Sequence, residues 1–273
     1  MPLQPDLGLP DPAAGATLVR FANGFKAIAQ GPRLALRHND ILLWSLATAL
    51  LYCAIWVAVL ATAARFDQEF VRWLTPSDGP QWWIHALYLL AKWALYAVFW
   101  LTAVVATAPI ALPLCAPALG MLAEKVEAHV AGRGPPAVRW ATLLAEAVRG
   151  AVRGLLISVV LVAGDVAIWV ACTLLSLIFA PLGLVLSLTV APAWHALGLA
   201  ALATSFALEN RRCRLADQLA FLQEQRAVLI GFGLAAQALA WMPLLMPFVV
   251  IAATALVVRL HAHGHVRYPD DGT

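Results

Sequence analysis

The stretch Pro109–Glu127, PIALPLCAPALGMLAEKVE, ends a long apolar run and decides how the chain is organised. It places prolines at 109, 113 and 117. A proline inside a helix removes a backbone hydrogen bond and clashes with the preceding turn, at a cost of about 3 kcal/mol or more. At the first position of a helix it is well tolerated, so Pro117 can begin the helix ALGMLAEKVEAHV. We therefore expect one helix to end here and a shorter one to begin within the membrane.

The composition is that of a membrane protein. Of the 273 residues, 62% are hydrophobic and 12% are charged, and the mean hydropathy is +0.81. A soluble domain has about a quarter of its residues charged, so lipid must be the solvent for much of this chain. The net charge of +3 is too small to indicate nucleic-acid binding.

Apolar blocks predict the membrane segments. Residues 41–64 and about 84–107 are each long enough for one spanning helix, with a polar loop at 65–82 between them. Block 155–208 is too long for one span and predicts a hairpin, with breaks at Pro181-Leu182-Gly183 and at Pro192. Block 228–258 is too short for two full crossings. Its breaks at Pro243 and Pro247 predict two half-depth helices, or else one kinked span with an external C-terminus.

Lys and Arg predict the orientation. Segments 17–38, 124–153, 209–226 and 259–267 hold 4, 5, 4 and 2 of these residues, whereas loop 65–82 holds 2. Such basic segments face the cytoplasm. We therefore expect all four segments and both termini on one side, with loop 65–82 on the other.

One membrane domain, 17–267, is expected between a disordered lead-in, 1–16, and a tail, 268–273. Its first part, 17–38, has the spacing of an interfacial amphipathic helix that ends near Gly31-Pro32. Residues 118–153 are also amphipathic and are interrupted by the turn GRGPP at 132–136. No cleaved signal peptide is visible.

Helices that begin inside the membrane leave unpaired N–H groups and the positive end of their dipole. Pro117, Pro192 and Pro247 are each placed to begin such a helix, and half-helix N-termini hold anions in many transporters. The alternative is that these prolines only kink packed helices.

Three segments carry a family resemblance. FANGFKAIAQGPRLALRH (21–38), APALGMLAEKVEAHVAG (116–132) and RAVLIGFGLAAQALAWMPLLMPFVVIAATAL (226–256) resemble the CysZ family of bacterial sulfate permeases, relatives of the etoposide-induced transmembrane proteins. The resemblance covers about residues 20–260.

The resemblance implies an all-α integral membrane protein with two long transmembrane helices, re-entrant or hemi-penetrating helical hairpins and amphipathic interfacial helices. It implies a homo-oligomeric permease for sulfate or a related oxyanion in the bacterial inner membrane. The alternative is a non-transporting membrane scaffold or envelope-assembly protein of the same fold.

The half-helix beginnings and the family resemblance together predict a set of anion-binding residues. Arg33, Arg37 and His38 form a basic turn that either faces the anion or anchors the chain at the membrane surface. We add the helix beginnings at Pro117, Gly120 and Pro247 to this set.

Four further charges are candidates for coupling or ion pairing. Glu124 and Glu127 share a helix face and repel anions, so we expect them to pair with Arg across the protomer or to couple protons. Lys92 and Asp165 lie deepest in apolar runs, where charge is costly. Each side chain either has a functional role or extends toward the membrane surface. The two could also form an ion pair with each other. For His195 we expect ordinary packing.

No pattern indicates an enzyme. Four scattered cysteines (53, 115, 172, 213) form no metal-binding spacing, and three lie in apolar segments as small hydrophobes. No catalytic triad order, phosphate loop or metal cluster occurs. We expect no cofactor and no metal; lipid and a small anion are the expected partners.

Overall fold

The computed structural model describes residues 11–73, 89–90, 92–93, 96, 111, 114–132, 140–240, 242–266 and 268–269. Within them the regular elements are helices, and no strand occurs. A 3₁₀ turn, Pro243–Leu245, precedes the last helix. The α-helices are α1 (Thr17–Ala27), α2 (Gln30–Arg37), α3 (Asn39–Trp73), α4 (Ala116–Ala131), α5 (Trp140–Ile178), α6 (Ala180–Asn210), α7 (Leu215–Glu224), α8 (Arg226–Ala240) and α9 (Met246–Ala262).

Among the described residues, three helices contain stretches that are long and apolar enough to cross a membrane. These are Asn39–Phe66 in α3, Gly154–Ile178 in α5 and Ala180–Asn210 in α6. The shortest has 25 residues and extends about 37 Å, beyond the roughly 30 Å hydrocarbon core. The all-α membrane fold and the first span are confirmed. Most of the predicted second span, 84–107, lies outside the described residues.

The hairpin predicted at 155–208 is confirmed, and each of its arms is long enough to cross. The chain turns at Phe179 between α5 and α6, and Pro181 lies in the first turn of α6. Gly183 allows this tight turn, because a methyl group there would overlap Ser176. Pro192 was predicted to begin a half-helix. This prediction was wrong, because Pro192 lies inside α6. The residues that follow it pack tightly against neighbouring helices, and this packing keeps α6 continuous.

Block 228–258 forms two short helices, not one kinked span. Gly24 of α1 packs on Val228 at the start of α8. The neighbouring Lys26 lines a cavity with Arg259 near the end of α9, so the chain returns to the same place. At 15 and 17 residues, α8 and α9 extend roughly 22 and 25 Å, less than the hydrocarbon core.

Helix α9 is the core of the molecule. Its side chains are buried from Met246 to Leu260, with Phe248 half-buried. It packs mainly against α2, α4 and α6. A helix that is apolar on every side is enclosed either by protein or by lipid, and here protein encloses it.

Two glycines fix α1 against α8. A methyl group at Gly24 would overlap the carbonyl oxygen of Val228, and one at Gly231 would overlap the carbonyl oxygen of Phe21. The two backbones therefore approach more closely than any larger side chain permits. This contact places the amphipathic N-terminal segment directly on the C-terminal hairpin.

Several predicted boundaries were wrong. The N-terminal helix breaks at Ile28–Ala29, whereas Gly31 and Pro32 lie in the first turn of α2, where proline costs little. Helix α3 continues to Trp73, so no loop begins at residue 65. Helix α4, by contrast, ends where the turn was predicted: its last residue is Ala131, and Gly132 follows with a φ of 65°, which suits glycine. The rest of that turn, 133–136, lies outside the described residues.

Parts of the lead-in and of the tail pack onto the domain. Ala13 is buried, and the carboxylate of Asp11 lies 2.9 Å from Nε2 of His265. Tyr268 is buried and stacks on His261 at a centroid distance of 4.0 Å. Residues 11–13 are therefore not a free polar lead-in.

Candidate anion-binding site

A cavity of about 440 Å³ lies between α1, α2 and α9. Part of its wall is formed by basic and polar side chains, and the rest is apolar. The lining residues are the cations Lys26, Arg33, Arg37 and Arg259, the amides Asn23 and Gln30, and the apolar Pro12, Ala27, Leu34, Val130 and Ala255.

Helical spacing brings these residues together. Positions 23, 26, 27, 30, 33, 34 and 37 recur at three- and four-residue intervals and so form one stripe across α1 and α2. Ala255 and Arg259 lie one turn apart on α9 and face this stripe. Gly31 lets α2 approach α9, because a methyl group there would overlap the carbonyl oxygen of Phe248. The close packing of α2 on α9 therefore creates the cavity.

The cations differ in their surroundings. Arg259 is only 8% exposed, whereas Lys26, Arg33 and Arg37 are exposed. Burial lowers the pKa of the Arg259 guanidinium, and the carboxylate of Asp11 acts in the opposite direction. An arginine stays protonated at neutral pH even so. The cavity therefore holds a fixed positive charge in its interior and further positive charges at its mouth.

An N-terminal strap, residues 11–16, completes the wall. Asn23 Nδ2 lies 3.5 Å from the carbonyl oxygen of Pro12. Asp11 is held by His265 and by the N–H group of Ala13 at 2.8 Å. Burial raises the pKa of the Asp11 carboxyl, but these hydrogen bonds outweigh it and leave the pKa below its ordinary value. The strap therefore brings a negative charge close to Arg259.

The predicted anion-binding residues do not form one site. Arg33 and Arg37 line the cavity, but His38 instead packs on His129 at a centroid distance of 4.5 Å. Pro247 is buried in the first turn of α9, about 18 Å along that helix from Arg259.

The beginning of α4 also lies apart from the cavity lining. Pro117 is exposed in the first turn of α4. The carbonyl oxygen of Gly120 accepts a hydrogen bond of 3.1 Å from Nδ2 of Asn210. This helix end is therefore fixed against the end of α6.

The two glutamates have different environments. Glu127 is 1% exposed, and Nε of Arg211 donates to its Oε1 at 2.5 Å. The predicted arginine partner thus comes from the same chain. Burial raises the pKa of Glu127 although Arg211 acts against this shift. Glu124 is half-buried one turn earlier.

Asp165 pairs with His195, and not with Lys92. Nδ1 of His195 lies 3.1 Å from Oδ2 of Asp165 and so joins α5 to α6. This contact gives His195 a polar partner, where ordinary packing was expected.

Contacts between residues far apart in the sequence bring the four basic segments close to one another. Glu127 meets Arg211, His129 lies 3.6 Å from Asp40, and Arg211 lies over the Tyr268 ring at 5.2 Å. The described parts of these segments, with Asp40 and Tyr268 beside them, therefore lie close to one another. Their side of the membrane stays a prediction.

Of the polar residues that line the cavity, Arg33 and Arg37 were predicted, whereas Asn23, Lys26, Gln30 and Arg259 were not. Arg259 directly follows an apolar block, where a basic residue ordinarily anchors a helix end. The strap residues carry no pattern. The stripe on α1 and α2, by contrast, can be found from the spacing of its polar residues.

One comparison with known proteins gives a match. The model of the family described as "Sulfate transporter CysZ/Etoposide-induced protein 2.4" matches residues 20–250, most of the chain. No curated protein matches significantly. Both Asp11 and His265 lie outside the matched region, and Arg259 does too.

Proposed function

The chain belongs to the CysZ/Etoposide-induced protein 2.4 family, and on this premise we propose that it is a multi-pass permease for sulfate or a related oxyanion. Its family, together with the three long apolar helices in the described part of the chain, makes it a membrane protein with a transport-related role. We place it in the bacterial inner membrane as a homo-oligomer. It acts as a carrier or channel and catalyses no reaction.

The observation that supports an anion substrate is the convergence of four cations and two amides on one cavity. Sulfate keeps a double charge at neutral pH and loses its water reluctantly, so it needs several donors at once. Arg33, Arg37 and Arg259 offer planar guanidinium groups that match an oxyanion. The cavity therefore serves as the anion-binding vestibule of the permease.

Uptake of radiolabelled sulfate into proteoliposomes tests this function. The double variant Arg33→Gln with Arg37→Gln keeps the length of both side chains and removes two cations from the cavity mouth. Because both residues are exposed, we expect a rise of about tenfold in the half-saturating sulfate concentration and not a complete loss.

Lys125→Gln is the matched control. Lys125 lies on α4 over the Trp44 ring, 5.5 Å from its centroid, and does not line the cavity. This variant should leave sulfate affinity unchanged. If folded wild-type protein gives no flux above empty vesicles, the chain is a non-transporting scaffold of the same fold. If Lys125→Gln weakens affinity as much as the double variant, the cavity is not the binding site.

A further inference from the structure

A histidine and a carboxylate meet inside the α5–α6 hairpin. Nδ1 of His195 lies 3.1 Å from Oδ2 of Asp165, and the two side chains are 38% and 31% exposed in this chain. Between Gly154 and Leu208 the sequence contains no other Asp, Glu, Lys, Arg or His. Asp165 and His195 are therefore the only residues of these five types in the apolar part of the hairpin, from Gly154 to Leu208.

The pair lies deep in the apolar part of the hairpin. Asp165 is roughly 16 Å along α5 from Gly154 and roughly 20 Å from Ile178, at the turn. Each distance is at least half of a hydrocarbon core of about 30 Å. A charged group at such a depth is costly, and ionisable residues found there pair with one another and mark ion or proton pathways.

Close packing holds the two side chains together. Gly164 leaves room for the Trp194 ring, and Gly198 leaves room for the Leu161 side chain. Nε1 of Trp194 donates to the carbonyl oxygen of Leu161 at 3.3 Å. These contacts flank Asp165 in α5 and His195 in α6. The fold therefore fixes the distance between the two ionisable groups.

The helices that pack against the hairpin carry their ionisable groups elsewhere. Arg226 begins α8, and Arg259 of α9 lines the cavity beside α1 and α2. Glu127 of α4 pairs with Arg211, about 24 Å along α6 from His195. Helix α7 begins beyond that same end of α6. Among the residues that the structure describes, Asp165 and His195 are therefore the ionisable partners of each other.

We propose that Asp165 and His195 form a proton-binding site within the membrane. With one shared proton, the pair is either imidazolium with carboxylate or imidazole with carboxylic acid, and in both forms its net charge is zero. Loss of the proton leaves a net negative charge, and a second proton gives a net positive charge.

Surroundings of low polarity favour the neutral, singly protonated pair. Exchange of that proton takes place at the half-exposed face of the pair, where water or another protein group must reach it. Binding of the proton stands on this geometry alone. Movement of the proton together with the anion rests in addition on the proposed function.

Labelling with dicyclohexylcarbodiimide tests the site. This apolar reagent modifies protonated carboxyl groups that lie within a membrane, and peptide mass mapping of the full chain in phosphatidylcholine vesicles locates the product. We expect Asp165 to be modified, with the extent falling by up to about tenfold per pH unit on the alkaline side of its midpoint. Asp217, exposed on α7, is the internal control and should stay unmodified.

Two shape-preserving variants complete the labelling experiment. Asp165→Asn should abolish the labelling. His195→Gln removes the imidazolium that stabilises the carboxylate, so labelling should persist to higher pH. The proposal is wrong if Asp165 is unmodified at every pH, if its labelling is independent of pH, or if His195→Gln leaves the pH profile unchanged.

A pH-sensitive dye inside sulfate-transporting vesicles tests coupling separately. Wild-type protein should move protons with sulfate, and Asp165→Asn should carry sulfate without them. Labelling with the expected pH dependence but no proton movement during flux would refute coupling and leave the proton site intact. Absence of any sulfate flux would refute the proposed function, while the labelling still decides the proton site.

Discussion

Glu127 and Arg211 are 84 residues apart in sequence, yet Nε of Arg211 donates directly to a glutamate that is 1% exposed. The pair ties α4 to the end of α6, beside the bond from Asn210 to Gly120. The second carboxylate oxygen of Glu127 is buried without a hydrogen-bond partner among the described residues. Arg211 is therefore the main compensation for a buried negative charge.

Arg211→Gln should destabilise the protein by about 3 kcal/mol, because it leaves the Glu127 carboxylate buried without a cation. Denaturation in detergent, followed by circular dichroism, measures this change. Arg65→Gln removes an exposed arginine and should change stability by less than about 0.5 kcal/mol. Equal stability of the two variants would show that the pair contributes little.

Stability should depend on pH through Glu127. Its pKa in the folded protein is raised above the ordinary value of 4.5. At a pH between the ordinary pKa and the folded-state pKa, the folded state therefore holds more protons than the unfolded state. Stability therefore falls as the pH rises through this window and is greatest below it. Glu127→Gln should remove this part of the pH dependence, and the difference between its stability profile and that of the wild type isolates Glu127. Parallel profiles would contradict the prediction.

Gly120→Asp should impair sulfate transport more than folding if the beginning of α4 faces the anion path. An acidic residue near a helix N-terminus favours the helix but repels a dianion. A loss of about 1–3 kcal/mol in site affinity corresponds to a change of roughly 5- to 150-fold. Gly120→Ala is a clean control, because the nearest atom to the new methyl group is Oδ1 of Asn210 at 3.8 Å. Equal transport by the two variants would mean that Pro117 and Gly120 only shape the fold.

Gly231→Ala should destabilise the α1–α8 contact by about 1–3 kcal/mol, because its methyl group would overlap the carbonyl oxygen of Phe21. Hydrogen exchange in α1 should rise in parallel. Gly120→Ala, with room for its methyl group, again provides the comparison. Unchanged exchange in α1 would show that the two helices can separate without cost.

Single-cysteine labelling tests the topology. In a background without the four native cysteines, a cysteine at Gly264 should label from the cytoplasmic side and one at Asp78 from the opposite side. Labelling of both positions from one side would mean that the basic segments and segment 65–82 are not separated by the membrane.

The arrangement of the apolar blocks was predictable because length limits what an apolar run can do. The 31 residues of block 228–258 cannot make two full crossings, and the structure has the two short helices α8 and α9 in this block. The role of each proline was less predictable. Pro117 and Pro247 lie in first turns while Pro192 lies inside α6, and the difference arises from packing around each residue that local sequence does not contain.

The cavity, too, was predictable from the sequence only in part. The sequence indicates Arg33 and Arg37 because they form a basic cluster directly before a predicted span. Arg259 was not found, because a basic residue that follows an apolar block looks like any interfacial anchor. Nor could an apolar sequence show that α9 faces protein and not lipid. Both facts depend on how distant segments pack.

The burial of α9 has a consequence for how the protein is made. Every helix that encloses it precedes it in the chain, so the ribosome completes α1, α2, α4 and α6 before their common partner exists. Until Met246–Ala262 is inserted, the apolar surfaces that α9 covers must be held by lipid or by a chaperone. A chain terminated before Met246 would therefore lack the centre of the fold, although the long apolar stretches of α3, α5 and α6 would all be present.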